Sequence, residues 1–343
     1  MSITATDTNR QIRLKTRPVG MPTPADFEAV ALPRPAPADG EVLRRTIYLS
    51  LDPYMRGRMS DAKSYAKPVT VGDVMVGHTV SQVVESRHPG FNAGDLVTGY
   101  DGWQEYARSS GKDLRKLDPK GPPISTAIGV LGMPGLTAYV GLMDIGQPKA
   151  GETVVVSAAS GAVGAVVGQL AKIKGCRAVG IAGSPDKCRY VVDELGFDAC
   201  LNYKTDDLVP ALRAACPNGV DIYFENVGGA VFAAVLKVLN RGARIPLCGM
   251  ISEYNATANP AGPNLRPLLV SRAMIKGFIV SDHADRAPAF AAECGPLVVS
   301  GRLKFREDIV DGLEHAPGAF MGLLEGRNFG KLVVRVSPDP TRG

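Results

Sequence analysis

The chain has 343 residues, of which 45% are hydrophobic, and a formal net charge of +5. This length allows two domains with ample cores, and the modest charge forms no long basic run that would indicate binding to nucleic acid or to an anionic membrane. No apolar run approaches the ~20 residues of a membrane-spanning helix. The N-terminal stretch MSITATDTNRQIRLK has neither an apolar core nor a cleavage-like site, so we expect a cytoplasmic protein.

The first part of the chain, up to about residue 125, is rich in proline and turn signals. Short alternating segments at 71–84 and 95–107 are typical of antiparallel strands. This pattern predicts a compact, mostly antiparallel β domain.

From about Ala127 onward, helical stretches alternate with buried strands. The predicted strands are 154–157, 178–182, 199–202, 222–225, 244–248 and 274–280. Such repetition predicts an α/β domain with a doubly wound parallel sheet. A polar connector, a helix through 321–324 and a last strand at 331–336 follow. Because no helix follows that strand, we infer that it returns to the first domain, which is then discontinuous.

A glycine-rich turn joins the first of these parallel strands to the next helix. It reads Ala159-x-Gly161-x-x-Gly164, with Gly168 one helical turn later and alanine in place of the usual first glycine. Glycines let the backbone approach a pyrophosphate, and the start of the helix offers N–H groups and a positive dipole end. The turn therefore predicts a dinucleotide site. The predicted contacts are Ser160, Gly161, Ala162, Val163 and Gly164.

The end of the second strand indicates which dinucleotide is bound. An NAD site usually has an acid there for the ribose 2′-OH, whereas this strand runs into Gly183 and Ser184. These small residues leave room for a 2′-phosphate, to which Lys187 can supply a positive charge. Asp186 fits the first turn of a helix capped by Ser184, and Lys187 could instead be a solvated lysine. We expect NADP(H) rather than NAD(H).

Six cysteines, all in the second half of the chain, form no C-x-x-C pair, and the four histidines are dispersed. We therefore expect scattered thiols rather than a structural zinc site.

Ordered matches along nearly the whole chain extend this interpretation. They include LDPYMRG at 51–57, GMPGLTAY at 132–139, FENVGG at 224–229, CGMISEYN at 248–255 and RNFGK at 327–331. Through these segments the chain resembles the medium-chain dehydrogenase/reductase superfamily. Within it, the resemblance is to the zinc-independent group of prostaglandin reductases and alkenal double-bond reductases, which includes curcumin-reductase-like enzymes.

The resemblance implies a GroES-like, β-rich catalytic domain over 1–126 and 305–343, a Rossmann NADP-binding domain over 127–304, and a cofactor cleft between them. It also implies NADPH-dependent saturation of a carbon–carbon double bond conjugated to a ketone or aldehyde. Enzymes of this group are usually homodimers.

Zinc is the obvious competitor, because related alcohol dehydrogenases bind a catalytic metal. They carry Gly-His-Glu where this chain has Gly77-His78-Thr79, and their first cysteine ligand falls in the region of residues 50–54. Residues 1–175 contain no cysteine, and one histidine cannot complete a site with three protein ligands. We therefore expect no metal and a structural role for His78.

Hydride attack on the β-carbon of an enone places negative charge on the carbonyl oxygen, which an aimed hydroxyl can stabilise. Tyr254, just past the fifth predicted strand, matches the family tyrosine that contacts the substrate carbonyl, but it could be a packed loop aromatic. Tyr54, after Asp52-Pro53, could close the opposite wall of the site or only pack.

Further cofactor contacts are expected near other strand ends. Asn226 is expected to bind near the nicotinamide ribose, although it could be a simple turn asparagine. By resemblance, Tyr203 fits the 2′-phosphate region and Asn328 contacts the cofactor from the first domain. The remaining predicted cofactor contacts are Cys248 and the backbone of Phe278 and Val280.

One departure from the family limits what can be transferred. Ser281-Asp282-His283 stands where many relatives carry a tyrosine with a basic and an aromatic residue, so no particular substrate is carried over; Asp282 and His283 could also be an exposed pair. Two alternatives remain. A quinone reductase of the same superfamily is disfavoured by the LDPYMR and Tyr254 segments. A catalytically silent NADPH-binding structural or sensor protein is disfavoured by Tyr254 and Asn226.

Overall fold

The structure is a computed structural model that describes residues 8–258 and 260–342. Residues 1–7, the start of the segment in which no leader was expected, lie outside the described residues. The chain forms two compact units. One comprises the residues up to Ile128, Glu307–Asn328 and the residues from Leu332 on, and the other comprises Gly129–Arg306 and Phe329–Lys331.

The strands alternate with helices mainly in the second unit. In chain order, the strands are β1 (Thr8–Leu14), β2 (Phe27–Pro33), β3 (Val42–Ser50), β4 (Thr79–Ser86), β5 (Leu96–Gly99), β6 (Tyr106–Ser109), β7 (Arg115–Lys116), β8 (Thr153–Ser157), β9 (Arg177–Ala182), β10 (Ala199–Asn202), β11 (Val220–Phe224), β12 (Leu239–Leu247), β13 (Met274–Gly277), β14 (Glu307–Asp311) and β15 (Lys331–Arg335).

The α-helices differ in length from one turn to more than three. They are α1 (Tyr54–Arg58), α2 (Met133–Val140), α3 (Gly164–Ile173), α4 (Pro185–Arg189), α5 (Leu208–Ala215), α6 (Gly229–Val235), α7 (Arg266–Ser271), α8 (Ala287–Val299) and α9 (Ala316–Leu324). Within the described residues, no helix is both long and apolar enough to cross a membrane.

The first unit is a β-rich domain. β1 and β2 form an antiparallel pair, and a seven-stranded sheet has the order β14-β15-β3-β4-β5-β7, with β6 also paired to β3. β15 runs antiparallel to β3, with Val333 opposite Ser50. The core includes Trp103, whose indole stacks on Phe27 at 5.6 Å and meets the edge of Phe320 at 5.7 Å. This arrangement confirms the predicted β-rich fold class.

The second unit is built on a six-stranded parallel sheet with the order β10-β9-β8-β11-β12-β13. Helices cover both faces, because Val154 and Val156 belong to the core that includes α3, whereas Val155 belongs to the core that includes α5 and α6. Burial on both faces explains the unbroken β-branched run in β8. The strand order confirms the predicted doubly wound sheet, with its switch point between β8 and β11.

Several predicted strand limits were wrong. β12 begins at Leu239 rather than at 244, because Gly242 (φ +77°) accompanies a shift of register instead of ending the strand. The predicted strand at 274–280 ends at Gly277, since a 3₁₀ helix begins at Val280.

In the first unit, the alternation of polar and apolar residues predicted longer strands than the structure has. β4 begins only at Thr79, because the residues just before it include a turn in which Asp73 N–H donates to the Thr70 carbonyl at 3.0 Å. The predicted segment 95–107 divides into β5 and β6 around the left-handed Gly102 (φ +74°).

Candidate functional site

The glycine-rich turn follows β8 directly and brings α3 against the end of that strand. Its left-handed residue is Ala158 (φ +52°), whose carbonyl accepts from Gly161 N–H at 2.9 Å. A Cβ at Gly164 would collide with this carbonyl, so only glycine permits the close approach. No side chain caps α3, and the positive end of its helix dipole suits an anion, while the N–H groups of Ala165 and Val166 donate to the Gly161 and Val163 carbonyls.

Two other positions of the pattern serve packing rather than ligand contact. Ala159 is fully buried, and its methyl lies 2.7 Å from where a Cβ at Gly180 would stand. A Cβ at Gly168 would collide with the ring of Phe197. Alanine at the first position therefore packs the turn against β9, and glycine at the last lets α3 pack closely on Phe197.

The segment after β9 begins α4 as predicted. The Ser184 hydroxyl caps the helix by accepting from Lys187 N–H at 3.3 Å, and Pro185 is its first residue. Asp186 forms an exposed ion pair with Arg189. Asp186 thus lies in the first turn of α4, as predicted, and its carboxylate pairs with Arg189 of the same helix.

Tyr203, the residue after β10, packs against the end of β9. A Cβ at Gly183 would lie 2.9 Å from the tyrosine ring, and Lys204 Nζ lies 6.0 Å from the centre of that ring. The structure therefore brings Gly183, Ser184, Lys187 and Tyr203 into one region at the carboxyl ends of β9 and β10.

Asn226 stands at the switch point, directly across from the end of β8. Its side-chain Nδ2 donates to the Ser157 carbonyl, and its backbone N–H donates to the Ser157 hydroxyl, both at 2.8 Å. Because the amide nitrogen is held by a carbonyl, the Oδ1 atom is on the opposite side of the amide and offers an acceptor for a hydroxyl. The following turn contains Gly228 (φ +83°) and Gly229 (φ +53°), a backbone that glycine permits.

Glu225, which the sequence reasoning did not single out, is fully buried beside Asn226. Its Oε1 accepts from the Ser157 hydroxyl at 3.0 Å, from Gly228 N–H at 3.0 Å and from Val227 N–H. Burial raises the pKa of this carboxyl group, while these donors oppose the rise. The signal available in the sequence was a charged residue directly after a hydrophobic strand and before a Gly-Gly turn.

Cys248 follows β12 and contributes through its backbone. Its N–H donates to the Glu225 carbonyl at 2.9 Å, as does Gly249 N–H at 3.2 Å. Burial, together with the nearby Glu225 carboxylate, raises the pKa of the Cys248 thiol to about 12. The thiol is therefore a neutral group at physiological pH.

Tyr254 follows a 3₁₀ helix, Ile251–Glu253, that folds back over the turn after β11. The Tyr254 hydroxyl lies 2.9 Å from where a Cβ at Gly249 would stand, and the Asn226 carbonyl lies 3.6 Å from the same point. Ile251 N–H donates to that carbonyl at 3.2 Å. The structure thus brings Tyr254 and Asn226 together.

Phe278 follows β13, and its ring meets Phe224 edge-on at 6.3 Å and His283 at 6.4 Å. Val280 is the first residue of the 3₁₀ helix Val280–Arg286. Asp282 is exposed, whereas His283 is half-buried against Phe278. Of the departing residues 281–283, His283 therefore packs against a predicted cofactor residue, whereas Ser281 and Asp282 are exposed.

In the first unit, Tyr54 opens α1 directly after Asp52-Pro53. Burial raises the pKa of the Tyr54 hydroxyl, and the charge of Asp52 adds to the effect, so the phenol stays protonated at neutral pH. His78 stacks on Tyr100, with ring centres 4.6 Å apart. Asn328, in the same unit, lies between α9 and β15 and is half-buried.

Among residues 8–258 and 260–342, no group of three or more His, Cys, Asp or Glu side chains could hold a metal ion.

Two protein families match the chain. Residues 10–117 match the family described as the N-terminal domain of oxidoreductases, and residues 162–293 match the family described as zinc-binding dehydrogenases. NADPH-dependent curcumin reductase of Escherichia coli is 55% identical over 337 residues, covering 96% of this chain and 98% of the relative. The NADP⁺-dependent 2-alkenal reductase of Nicotiana tabacum is 44% identical with the same coverage. Rat prostaglandin reductase 1 is 44% identical, covering 94% of this chain and 97% of the relative.

Solved structures agree with these relatives. The crystal structure of CurA from Vibrio vulnificus in complex with NADPH has a TM-score of 0.92 at 54% identity, covering 96% of this chain and all of that one. Escherichia coli quinone oxidoreductase has a TM-score of 0.77 at 20% identity, over 94% of this chain and 99% of that one, which shows a shared fold alone.

The two alanines of the turn should respond oppositely to replacement by glycine. Ala158→Gly removes a left-handed alanine and should raise the free energy of unfolding by about 0.5–1 kcal/mol, after the entropy of the new glycine is counted. Ala159→Gly removes a fully buried methyl and should lower it by about 1–2 kcal/mol. Urea unfolding of both variants without cofactor measures the difference, and equal shifts of one sign would contradict the assignment of strain to Ala158.

Proposed function

The chain belongs to the medium-chain dehydrogenase/reductase family, in the group of prostaglandin, 2-alkenal and curcumin reductases, and we propose that it is a metal-independent enone reductase. It reduces the carbon–carbon double bond of α,β-unsaturated ketones and aldehydes with NADPH. The observation that carries this proposal is the position of the Tyr254 hydroxyl beside the Asn226 backbone at the switch point of the parallel sheet. At the same point β8 ends in a glycine-rich turn of the kind that binds phosphate.

The residues of the second unit fit NADPH. Gly164 lets the start of α3 approach the Ala158 carbonyl closely, and the uncapped start of α3 suits the pyrophosphate. The end of β9 carries no acid, which suits a 2′-phosphate near Ser184, Lys187 and Tyr203. Asn226 would accept from a nicotinamide ribose hydroxyl, and the segment from Phe278 to Val280 would hold the carboxamide. Ser160, Gly161, Ala162, Val163, Gly183, Cys248 and Asn328 complete the proposed cofactor contacts.

The chemistry asked of the protein is stabilisation of an enolate. Bound NADPH supplies the hydride that the substrate accepts at its β-carbon. The Tyr254 hydroxyl would donate to the carbonyl oxygen as negative charge develops there, and the α-carbon is then protonated. Tyr54, whose raised pKa keeps it a neutral donor, would supply a second hydroxyl on the substrate side.

The proposed activity predicts a defined substrate profile. With NADPH in excess, 2-alkenals and conjugated enones should be turned over, followed as loss of absorbance at the reduced nicotinamide band. Turnover of quinones without enones would favour the quinone reductase alternative. Tight NADPH binding with turnover of neither class would favour a silent binding protein.

Lys187 should discriminate between the two nicotinamide cofactors. Removing one charge-assisted contact to a 2′-phosphate by Lys187→Ala should weaken NADPH binding by about 1–3 kcal/mol, with NADH binding nearly unchanged. Fluorescence titration with both cofactors measures this, and Lys237→Ala, which removes an exposed lysine of the same unit, is the control. Equal losses for both cofactors would contradict a 2′-phosphate role.

We also propose that the protein is a homodimer that pairs through the β13 edge. Among the described residues, β13 ends the parallel sheet and has a neighbouring strand on one side only. Next to it, α7 and its flanks expose Leu265, Leu269, Val270 and Met274, and Leu269 is 80% exposed. An edge strand beside an apolar patch is a surface that a second copy can cover by isologous pairing.

Charge on this patch should dissociate the dimer. The double variant Leu269→Glu, Val270→Glu should elute at the mass of one chain in light-scattering chromatography, whereas the unaltered protein should have twice that mass. Val19→Glu, which changes an exposed apolar residue of the first unit, is the control and should remain dimeric. A single-chain mass for the unaltered protein would contradict the proposal.

We propose a cytoplasmic location, which agrees with the unpaired state of the cysteines. All six are free thiols in the structure, as suits a reducing compartment.

A further inference from the structure

We propose that Glu225 is a positioning residue that sets Asn226 and Tyr254 for the reaction, and that it acts as a hydrogen-bond acceptor rather than as a charge. This inference rests on the proposed function and concerns a side chain that would touch neither cofactor nor substrate. The observation behind it is that Oε1 of the fully buried Glu225 accepts three hydrogen bonds at the switch point.

The first link runs from Glu225 to Asn226 through Ser157. The Ser157 hydroxyl donates to Glu225 Oε1 and accepts from Asn226 N–H, while the Ser157 carbonyl holds the Asn226 side-chain amide. The position of the amide, and hence of its Oδ1 acceptor, is therefore fixed by a hydroxyl that Glu225 orients.

The second link runs from Glu225 to Tyr254 through the backbone. The Glu225 side chain holds the N–H groups of Val227 and Gly228, and the Val227 carbonyl accepts from Ser252 N–H at 2.9 Å and from its hydroxyl at 2.6 Å. The segment that carries Tyr254 is thus fastened to the turn that Glu225 shapes. The Glu225 carbonyl adds a second attachment by accepting from Gly249 N–H, beside the Tyr254 hydroxyl.

All three side-chain contacts fall on the same oxygen, Oε1, which decides what the position requires. A glutamine amide oxygen can accept the same three hydrogen bonds, and the buried Tyr223 hydroxyl, which interacts with the Glu225 carboxyl group, can accept from the glutamine NH₂ group. Burial raises the pKa of the Glu225 carboxyl group, so the surroundings of this side chain do not favour its charged form. Alanine or leucine, in contrast, leaves the N–H groups of Val227 and Gly228 without this acceptor and leaves the Ser157 hydroxyl only its 3.4 Å contact with the Phe224 carbonyl.

The test compares Glu225→Gln, Glu225→Ala and Glu225→Leu by enone turnover, NADPH fluorescence titration and thermal unfolding with and without NADPH. The glutamine variant should retain kcat and NADPH affinity within about threefold. The alanine and leucine variants should lose kcat by roughly 10–100-fold, because a displacement of Asn226 or Tyr254 by about one ångström is enough to slow the reaction to this extent. A loss in glutamine as large as in alanine would overturn the acceptor role.

A double-variant cycle separates positioning from general stability. Because Glu225 is proposed to act through both Asn226 and Tyr254, Glu225→Ala should lower kcat by a smaller factor in the Asn226→Ala background than in the unaltered protein. Multiplying losses would mean independent roles and overturn the inference. Should Glu225→Ala fail to fold, Ser157→Ala breaks the same link with the carboxylate in place, and kcat should fall about three- to tenfold; unchanged kcat would overturn the inference.

Asp221 supplies the matched structural control. Its carboxylate accepts from Thr153 N–H at 2.8 Å and so joins the same two strands, β11 and β8, at their amino ends. Asp221→Ala should lower the unfolding temperature with kcat within about twofold. If Glu225→Ala behaves in the same way, its role is structural and the inference fails. If the unaltered protein lacks enone turnover, the proposed function fails, and NADPH titration still tests the link to Asn226.

Discussion

Two hydrogen bonds between Ser157 and Asn226 hold the carboxyl ends of β8 and β11 together, and the rest of the candidate site depends on this contact. At a switch point the helices that follow the two middle strands leave to opposite faces of the sheet, so a crevice opens between the strand ends. Without side-chain contacts across it, only the ladder of the strands would fix the spacing of the two turns. Here a hydroxyl, an amide and a buried carboxylate join the two strand ends.

The features that the sequence predicted well are those whose pattern is local. The β-branched run of β8, the glycine spacing and the Ser-Pro-Asp start of α4 each lie within a few consecutive residues, and each appears where it was expected. The assignment to a family rested on ordered segments over the whole chain, and the relatives confirm it. The roles of Tyr254, Asn226 and Lys187 toward ligands remain predictions.

The features that the sequence did not reveal depend on contacts between distant segments. The sequence placed Glu225 at the end of the predicted strand 222–225 without indicating a partner, and only the fold brings Ser157, 68 positions earlier, to its side chain. Gly168 looks like part of the phosphate turn until Phe197 is found against it. The strand limits of the first unit failed for a related reason, because alternation does not reveal where turns and a left-handed glycine interrupt pairing.

The contrast in burial between the two ends of the candidate cofactor site has an evolutionary consequence. The residues from Gly183 to Lys187 are partly or fully exposed and end in a short surface helix, whereas Glu225 and Ser157 are sealed beneath the strand ends. With Lys187 in its proposed role, a change of preference between phosphorylated and unphosphorylated cofactors would fall in this exposed segment, outside the buried cores. The buried group offers no such freedom. Under the proposed roles, cofactor choice and reaction chemistry can therefore diverge separately, because burial constrains one segment and not the other.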